Sequence, residues 1–263
     1  MPSYVVTGAS RGIGCGFIQY LSRDSENVVV GLVRDKVAID RRIQEDSLTN
    51  VTILQADITD RCALIVARDV VESLTGGSLD YLINNAAYVS HLTTGKFLNE
   101  FESDPTLLVD DIKTAFTTNV VGVINTINVF LPLIQKSHIK KVVTLSSGMG
   151  DLDFVNELGI WESAPYSMSK AAVNIAAAKH SARYQEDGIL FIAISPGVVD
   201  TAAAAAPGIE GLVRKFLKAA PNFPGPMTHL ESVEQILSVV NSKRVENGDG
   251  GAFISHRGDK TWF

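Results

Sequence analysis

The sequence predicts an α/β fold, a doubly wound parallel sheet of about seven strands with helices on both faces, and three observations carry that expectation. Short β-branched runs alternate with longer amphipathic stretches over nearly the whole chain. The short runs are apolar throughout, which a sheet with one face in water does not tolerate, so helices must cover both sides. The first run ends in a cluster of glycines directly ahead of a helical pattern.

The elements follow in order. Residues 4–7, Tyr-Val-Val-Thr, form the first strand, and an apolar period over 13–23 gives the first helix. The valine-rich run 27–33 is the second strand, 51–56 the third, and 61–74 a helix with its apolar residues on one side. Residues 79–84 make the fourth strand, and a long helical pattern over 107–135 leads to the fifth strand at 141–146. A helix over 166–185, a strand at 190–195, a helix over 230–241 and a last strand at 252–255 complete the alternation expected of right-handed crossovers. Two stretches interrupt it. Residues 148–164 read as a long loop, and 201–226, with Ala202 to Ala206 followed by four prolines, read as a mobile substrate lid. With 46% hydrophobic residues, the 263-residue chain supports a single domain over 1–263.

Lys plus Arg number 23 against 29 Asp plus Glu, a net charge of −6 without a basic cluster, so no nucleic-acid partner is expected. No run reads as the roughly 20 apolar residues of a membrane span, and the start lacks the pattern of a signal peptide. A cytoplasmic protein with no membrane partner is the expectation. Cys15 and Cys62 are expected to be buried thiols. His91, His138, His180, His229 and His256 have no metal-ligand spacing, so no metal is expected.

Thr7-Gly8-Ala9-Ser10-Arg11-Gly12-Ile13-Gly14 places three glycines at a strand-to-helix turn, where backbone amides and the helix dipole suit a pyrophosphate. Tyr166 and Lys170, four apart, share one helix face, where an ammonium favours the phenolate of a neighbouring tyrosine and makes it an acid–base group. At the end of the second strand an acid would bind a ribose 2′-hydroxyl, but Val33 and Arg34 stand there. Arg34 with Arg11 either clamps a 2′-phosphate or is simply solvated, and Asp35 keeps the NAD(H) alternative open; NADP(H) is favoured over NAD(H).

The spacing Thr7-Gly-x-x-x-Gly-x-Gly14 resembles that of the short-chain dehydrogenase/reductase family, and further landmarks stand in family order. They are Asn84-Asn85-Ala86-Ala87, Asn119, Ser146-Ser147, Tyr166-Ser-Met-Ser-Lys170 and Pro196-Gly197-Val198-Val199-Asp200-Thr201, and together they span essentially the whole chain. The resemblance implies a Rossmann fold and a catalytic set of Asn119, Ser147, Tyr166 and Lys170. In it, Ser147 would stabilise the developing alkoxide, Tyr166 would transfer the proton, and Asn119 would orient Lys170 through a water. Ser146 and Ser147 are neighbours on a strand, and alignment with the family favours Ser147.

The resemblance also implies a dinucleotide held by Gly8, Ser10, Arg11, Gly12, Ile13, Gly14, Arg34, Asp57, Ile58, Asn85, Ala86 and Ala87. Asn119, Tyr166, Lys170, Pro196, Gly197, Val198, Val199 and Thr201 would meet it at the other end. Asp57 would bond the adenine amino group; otherwise it is a solvated carboxylate or helix cap, a place that Thr59 and Asp60 fill better. Ala87 departs from the family's glycine. Between Ser147 and Tyr166 the chain is longer than the family's, which makes Phe154 and Trp161 either substrate contacts or loop anchors. Leu212, Phe216, Leu217, Phe223, Trp262 and Phe263 suit a hydrophobic or aromatic ligand.

The expected activity is an NADP(H)-dependent oxidoreductase reducing a ketone of a hydrophobic or aromatic small molecule. The phrasing of residues 4–14 and 29–34 is similar to fungal ketoreductases of secondary metabolism and to sniffer-type carbonyl reductases. The alternatives are a non-redox isomerisation or cyclisation with bound NADP and a non-catalytic nucleotide-sensing scaffold. Ala171, Ala172, Ala176, Ala177, Ala178 and Ala182 form a small-residue face that either pairs copies into the homodimer or homotetramer the family implies or packs on the chain's own sheet.

Overall fold

The computed structural model describes residues 1–37, 39, 48–200 and 210–262. Strand β1 (Ser3–Thr7) turns into α1 (Gly12–Leu21), and β2 (Val28–Val33), β3 (Val51–Gln55), α2 (Arg61–Leu74) and β4 (Tyr81–Asn84) follow. A long helical run comprises α3 (Pro105–Phe116), a π-helical segment (Thr117–Gly122) and α4 (Val123–Lys136), and leads to β5 (Lys141–Leu145). A 3-10 turn (Gly148–Gly150), α5 (Leu152–Leu158), α6 (Ala164–Tyr184) and β6 (Leu190–Ser195) come next. Helices α7 (Glu210–Ala219) and α8 (His229–Ser242), a 3-10 turn (Val245–Asn247) and β7 (Phe253–Ser255) close the chain.

The strands form one seven-stranded sheet in the order β3-β2-β1-β4-β5-β6-β7, every pairing parallel, which is the doubly wound Rossmann arrangement expected from the sequence. Register lines up Val30, Val5, Leu82, Val142 and Phe191 across the sheet, and Val6, Ile83, Val143 and Ile192 on neighbouring positions. Successive residues face opposite sides of a sheet. The first row packs against Leu64, Ala67 and Val71 of α2 and Ile127, Phe130 and Leu133 of α4. The second meets Phe17, Ile18 and Leu21 of α1 and Val233, Ile236 and Val240 of α8. Chain order reverses between β1 and β4, so the carboxyl ends of these strands open a crevice there.

Helix starts are set by local chemistry. Asp60 caps α2, its carboxylate accepting from the Cys62 and Ala63 amides at 2.9 and 3.1 Å. Asp104 and Pro105 start α3, and Thr228 with Glu231 forms a capping box on α8.

Four expectations change. Residues 148–164 are not a plain loop, since the 3-10 turn and α5 lie within them. Cys62 is exposed at the start of α2, and only Cys15 is a buried thiol. The helical run Pro105–Lys136 is long and apolar enough, by length and composition, to cross a bilayer, and more than half of its apolar stretch is buried inside the chain. In the segment read as a lid, residues 210–219 are a regular helix, whereas Thr201 and the alanine run, like Phe263, lie outside the described residues.

Candidate active site

The glycine turn lies at the reversal of strand order. Gly8 and Gly12 adopt φ of +66° and +55°, the left-handed region that side chains avoid. At Gly8 a Cβ would also stand 2.8 Å from Ala86 Cα, so the end of β4 presses directly on the turn. Thr7 Oγ1 accepts the amides of Asn85 and Ala86, each at 3.0 Å, and Asn85 Nδ2 donates to the Thr7 and Gly8 carbonyls at 2.9 and 3.1 Å. Asn85 thus holds the turn by its side chain, and Thr7, not singled out in the sequence for a role of its own, is the other half of the stitch. Arg11 precedes α1, and its side chain does not cap the first turn. Gly12, Ile13 and Gly14 therefore offer amides that fit an anionic pyrophosphate, with Ser10 on the approach.

Arg11 and Arg34 are both exposed, Arg34 directly after the buried Val33. Ala87, which stands where the family has glycine, is exposed. Asp57 Oδ1 accepts the amide and hydroxyl of Thr59, both at 2.8 Å, while Asp60 caps α2; Asp57 is therefore not the helix cap. Ile58 is buried against Gly122, where a Cβ would approach its Cδ1 to 2.8 Å.

Ser147, Tyr166 and Lys170 meet where β5 ends against α6. Lys170 Nζ lies 5.6 Å from the Tyr166 ring centre and donates to the Leu145 carbonyl at 2.7 Å. Burial pushes the Tyr166 phenol up to about 12, with a hydrogen bond from Ser147 acting against it, which corrects the expectation that Lys170 favours the phenolate here, and burial pulls Lys170 down to about 8. The adjacent serines have different partners. Ser146 is buried and donates to Asn174 Oδ1 at 2.5 Å, whereas Ser147 faces Tyr166.

Asn119 lies in the π-helical segment, where the extra residue per turn aims it into the core. Its Oδ1 accepts the Tyr88 amide at 2.6 Å and its Nδ2 donates to the Tyr88 carbonyl at 3.0 Å and to Ser169 Oγ at 2.9 Å. Ser169 Oγ in turn donates to the Tyr166 carbonyl at 2.7 Å, a direct tie from Asn119 to α6 through a residue the sequence did not mark.

After β6, Gly197 has φ +79° and packs so tightly on Met227 and His256 that a Cβ would come within 2.6 and 2.7 Å of them. Met227 pairs with Val199 and donates its amide to Val198 at 2.9 Å, while Ser232 Oγ donates to the Pro196 carbonyl at 2.8 Å. The turn is thereby fixed on both sides. Burial lowers the pKa of His256 beneath it.

The two aromatic candidates of the 148–164 stretch separate. Phe154 is buried with Ile160, Leu212 and Trp262, its ring 6.0 Å from Phe216 and 6.2 Å from Trp262. It anchors α5 to α7 and the C-terminal segment, the second of the two readings that the sequence left open for it. Phe154→Ala is expected to cost about 3–5 kcal/mol in chemical denaturation, the range for deleting a buried aromatic ring; a loss under about 1 kcal/mol would show that the cluster repacks without it. Trp161 is 45% exposed, edge-on to Phe97 at 6.1 Å, with Lys215 Nζ 4.9 Å above its ring. The buried Glu162 beside it takes Lys215 Nζ at 2.7 Å, which clasps α7 to this wall. Among the described residues no group of His, Cys, Asp and Glu side chains is placed to hold a metal.

Comparisons with known proteins bear on the family and the fold. The family model described as short chain dehydrogenase matches residues 3–208. The chain is 42% identical to the short chain dehydrogenase virK of Hypocrea virens, over 100% of both chains. It is 46% identical to the short-chain dehydrogenase/reductase AacuF of Aspergillus aculeatus, again over 100% of both. The NADPH-bound carbonyl reductase from chicken fatty liver superposes with a TM-score of 0.81 at 25% identity, covering 100% of this chain and 99% of that one.

Proposed function

The chain belongs to the short-chain dehydrogenase family, and from that premise we propose that it is an NADP(H)-dependent reductase acting on a ketone of a hydrophobic or aromatic small molecule in secondary metabolism. The observation that carries the reading is Tyr166 beside Ser147 and Lys170, at the end of β5 and so at the same carboxyl edge of the sheet as the glycine turn after β1. Hydride transfer to the carbonyl carbon is the chemistry the dinucleotide supplies when bound. Ser147 Oγ donates to the carbonyl oxygen and stabilises charge as it develops there. Tyr166 holds its proton at neutral pH, because burial raises it to about 12, and delivers it to the same oxygen. Lys170, pinned by the Leu145 carbonyl, keeps a positive charge beside the phenol below its own value of about 8.

Support for NADP(H) comes from the exposed Arg34 and Arg11 and from Val33 at the place of a hydroxyl-binding acid. The chicken reductase is described as NADPH-bound, which favours the same choice. Trp161, half-exposed with Phe97 on one wall, supports an aromatic or apolar substrate. Helix α7 serves as the framework of the lid. The protein works in the cytoplasm as a homodimer or homotetramer paired through α6, which exposes Ile175 and Met168 while Ala177 turns inward.

The test is NADPH and NADH consumption followed by absorbance over a panel of aromatic and aliphatic ketones, quinones and aldehydes, with Arg34→Ala alongside. NADPH-selective turnover is expected, and Arg34→Ala should lower kcat/KM for NADPH by about 10- to 100-fold, the worth of one charge-assisted phosphate contact, with little change for NADH. Product formation without loss of NADPH would replace this reading by a non-redox one. Equal use of both nucleotides by wild type and variant would remove the NADP preference.

A further inference from the structure

Asp111, on α3, is a buried carboxylate with no part in the chemistry described above. Each of its oxygens takes a hydroxyl from a different point of the segment that follows β4. Tyr88 donates its phenol to Oδ1 at 2.7 Å, and Thr93 donates Oγ1 to Oδ2 at 2.6 Å. Between these anchors the segment is closed on itself, Ser90 Oγ accepting the amides of Leu92 and Thr93 at 3.1 and 3.2 Å and Thr94 Oγ1 donating to the Ser90 carbonyl.

One end of this segment touches the catalytic Asn119 and the other the start of the helix that carries Tyr166. At Tyr88 the backbone holds Asn119 by a pair of hydrogen bonds. At Thr94 the carbonyl accepts both the amide and the hydroxyl of Ser163, each at 3.0 Å. Ser163 starts α6 three residues before Tyr166 and adopts φ +54°, a left-handed conformation that a serine keeps only when its surroundings hold it there. Thr93 and Thr94 are adjacent, so the bond from Thr93 to Asp111 fixes the carbonyl that holds Ser163.

We propose that Asp111 is a positioning residue: by clamping Tyr88 and Thr93 it makes residues 88–94 a rigid splint that sets Asn119 and the start of the Tyr166 helix relative to each other. The proposal rests on the reductase reading for its kinetic consequence, but its structural consequence stands apart from it. A carboxyl group suits this role because its two oxygens meet two hydroxyls at once in a buried place, whereas an alanine would leave both donors unpaired.

The experiment compares wild type with Asp111→Ala and Asp111→Asn by amide hydrogen exchange and steady-state kinetics. In Asp111→Ala, exchange is expected to rise at least about fivefold both in peptides holding Tyr88 and in peptides holding Ser163, as both hydrogen bonds to Asp111 are lost. Peptides from α1 and α8 should not change. With a ketone identified by the panel, kcat should fall about tenfold with KM for NADPH unchanged. Asp111→Asn, which keeps a carbonyl acceptor, should restore part of both losses.

Asn119→Ala should add little to the kcat loss of Asp111→Ala, because both act through one element. If Asp111→Ala does not fold, Thr93→Val serves in its place and should loosen the Ser163 peptide more than the Tyr88 peptide. Unchanged exchange at Ser163, or kcat losses that multiply, would overturn the proposal. Absence of turnover in the wild type would count against the reductase reading alone, since the exchange result still decides the role of Asp111.

Discussion

Tyr166→Phe is expected to lower kcat for ketone reduction by about 10²- to 10⁴-fold while leaving NADPH affinity and thermal stability close to wild type. The substitution removes one oxygen and leaves the ring in place. What it deletes is the proton donor and the hydroxyl bonded to Ser147, and no neighbour replaces it, since Lys170 is directed to the Leu145 carbonyl. The wild-type pH profile should carry the same signature. Tyr166 stays protonated through neutrality, so reduction is expected to hold steady there and to decline as pH passes the Lys170 value of about 8 and the ammonium is lost. Alcohol oxidation needs the phenolate and should instead rise with pH. A phenylalanine variant retaining more than about a tenth of wild-type kcat would take the proton transfer away from Tyr166.

The parts of this site that were legible in the sequence are those where spacing alone implies geometry. Tyr166 and Lys170 meet because a helix repeats every 3.6 residues, and the glycine turn lies at the crevice because a parallel sheet must reverse its order somewhere. The cap of α2 was legible to within one residue, Thr59 or Asp60, because both stand just ahead of an apolar period, and the structure selects Asp60. What stayed hidden depends on which way a side chain turns in three dimensions. Ser146 and Ser147 differ by one position at a strand end, and only the Asn174 partner shows which of them is committed elsewhere. Phe154 and Trp161 belong to one stretch and one residue class, yet Phe154 is buried among Ile160, Leu212 and Trp262 while Trp161 is half-exposed. Helix α5, seven residues long, is too short to display a period. Asp111 was one of two consecutive aspartates on an amphipathic helix, and nothing in the sequence separates the buried one from the exposed one.

Gly14→Ala is expected to weaken NADPH binding by at least about tenfold and to lower Tm by roughly 2–10 °C, the range for about 1–3 kcal/mol of overpacking in a domain of this size. The methyl would stand 2.2 Å from the Gly8 carbonyl oxygen and 2.5 Å from Asn85 Nδ2, and neither can step aside cheaply. The first is backbone, in a residue at φ +66° already pressed against Ala86. The second is held by the Thr7 and Gly8 carbonyls. Relief therefore requires the turn to open, which breaks the stitch between β1 and β4 and displaces the amides of α1 that would face a pyrophosphate. Ala87→Gly is the control from the same crevice. It restores the family's residue at an exposed position and should change NADPH affinity less than about twofold. Wild-type affinity in Gly14→Ala, measured by fluorescence titration alongside thermal unfolding, would mean that the turn accommodates the methyl without moving its amides, and the close approach of Gly14 to Gly8 would then be a packing feature with no bearing on the cofactor.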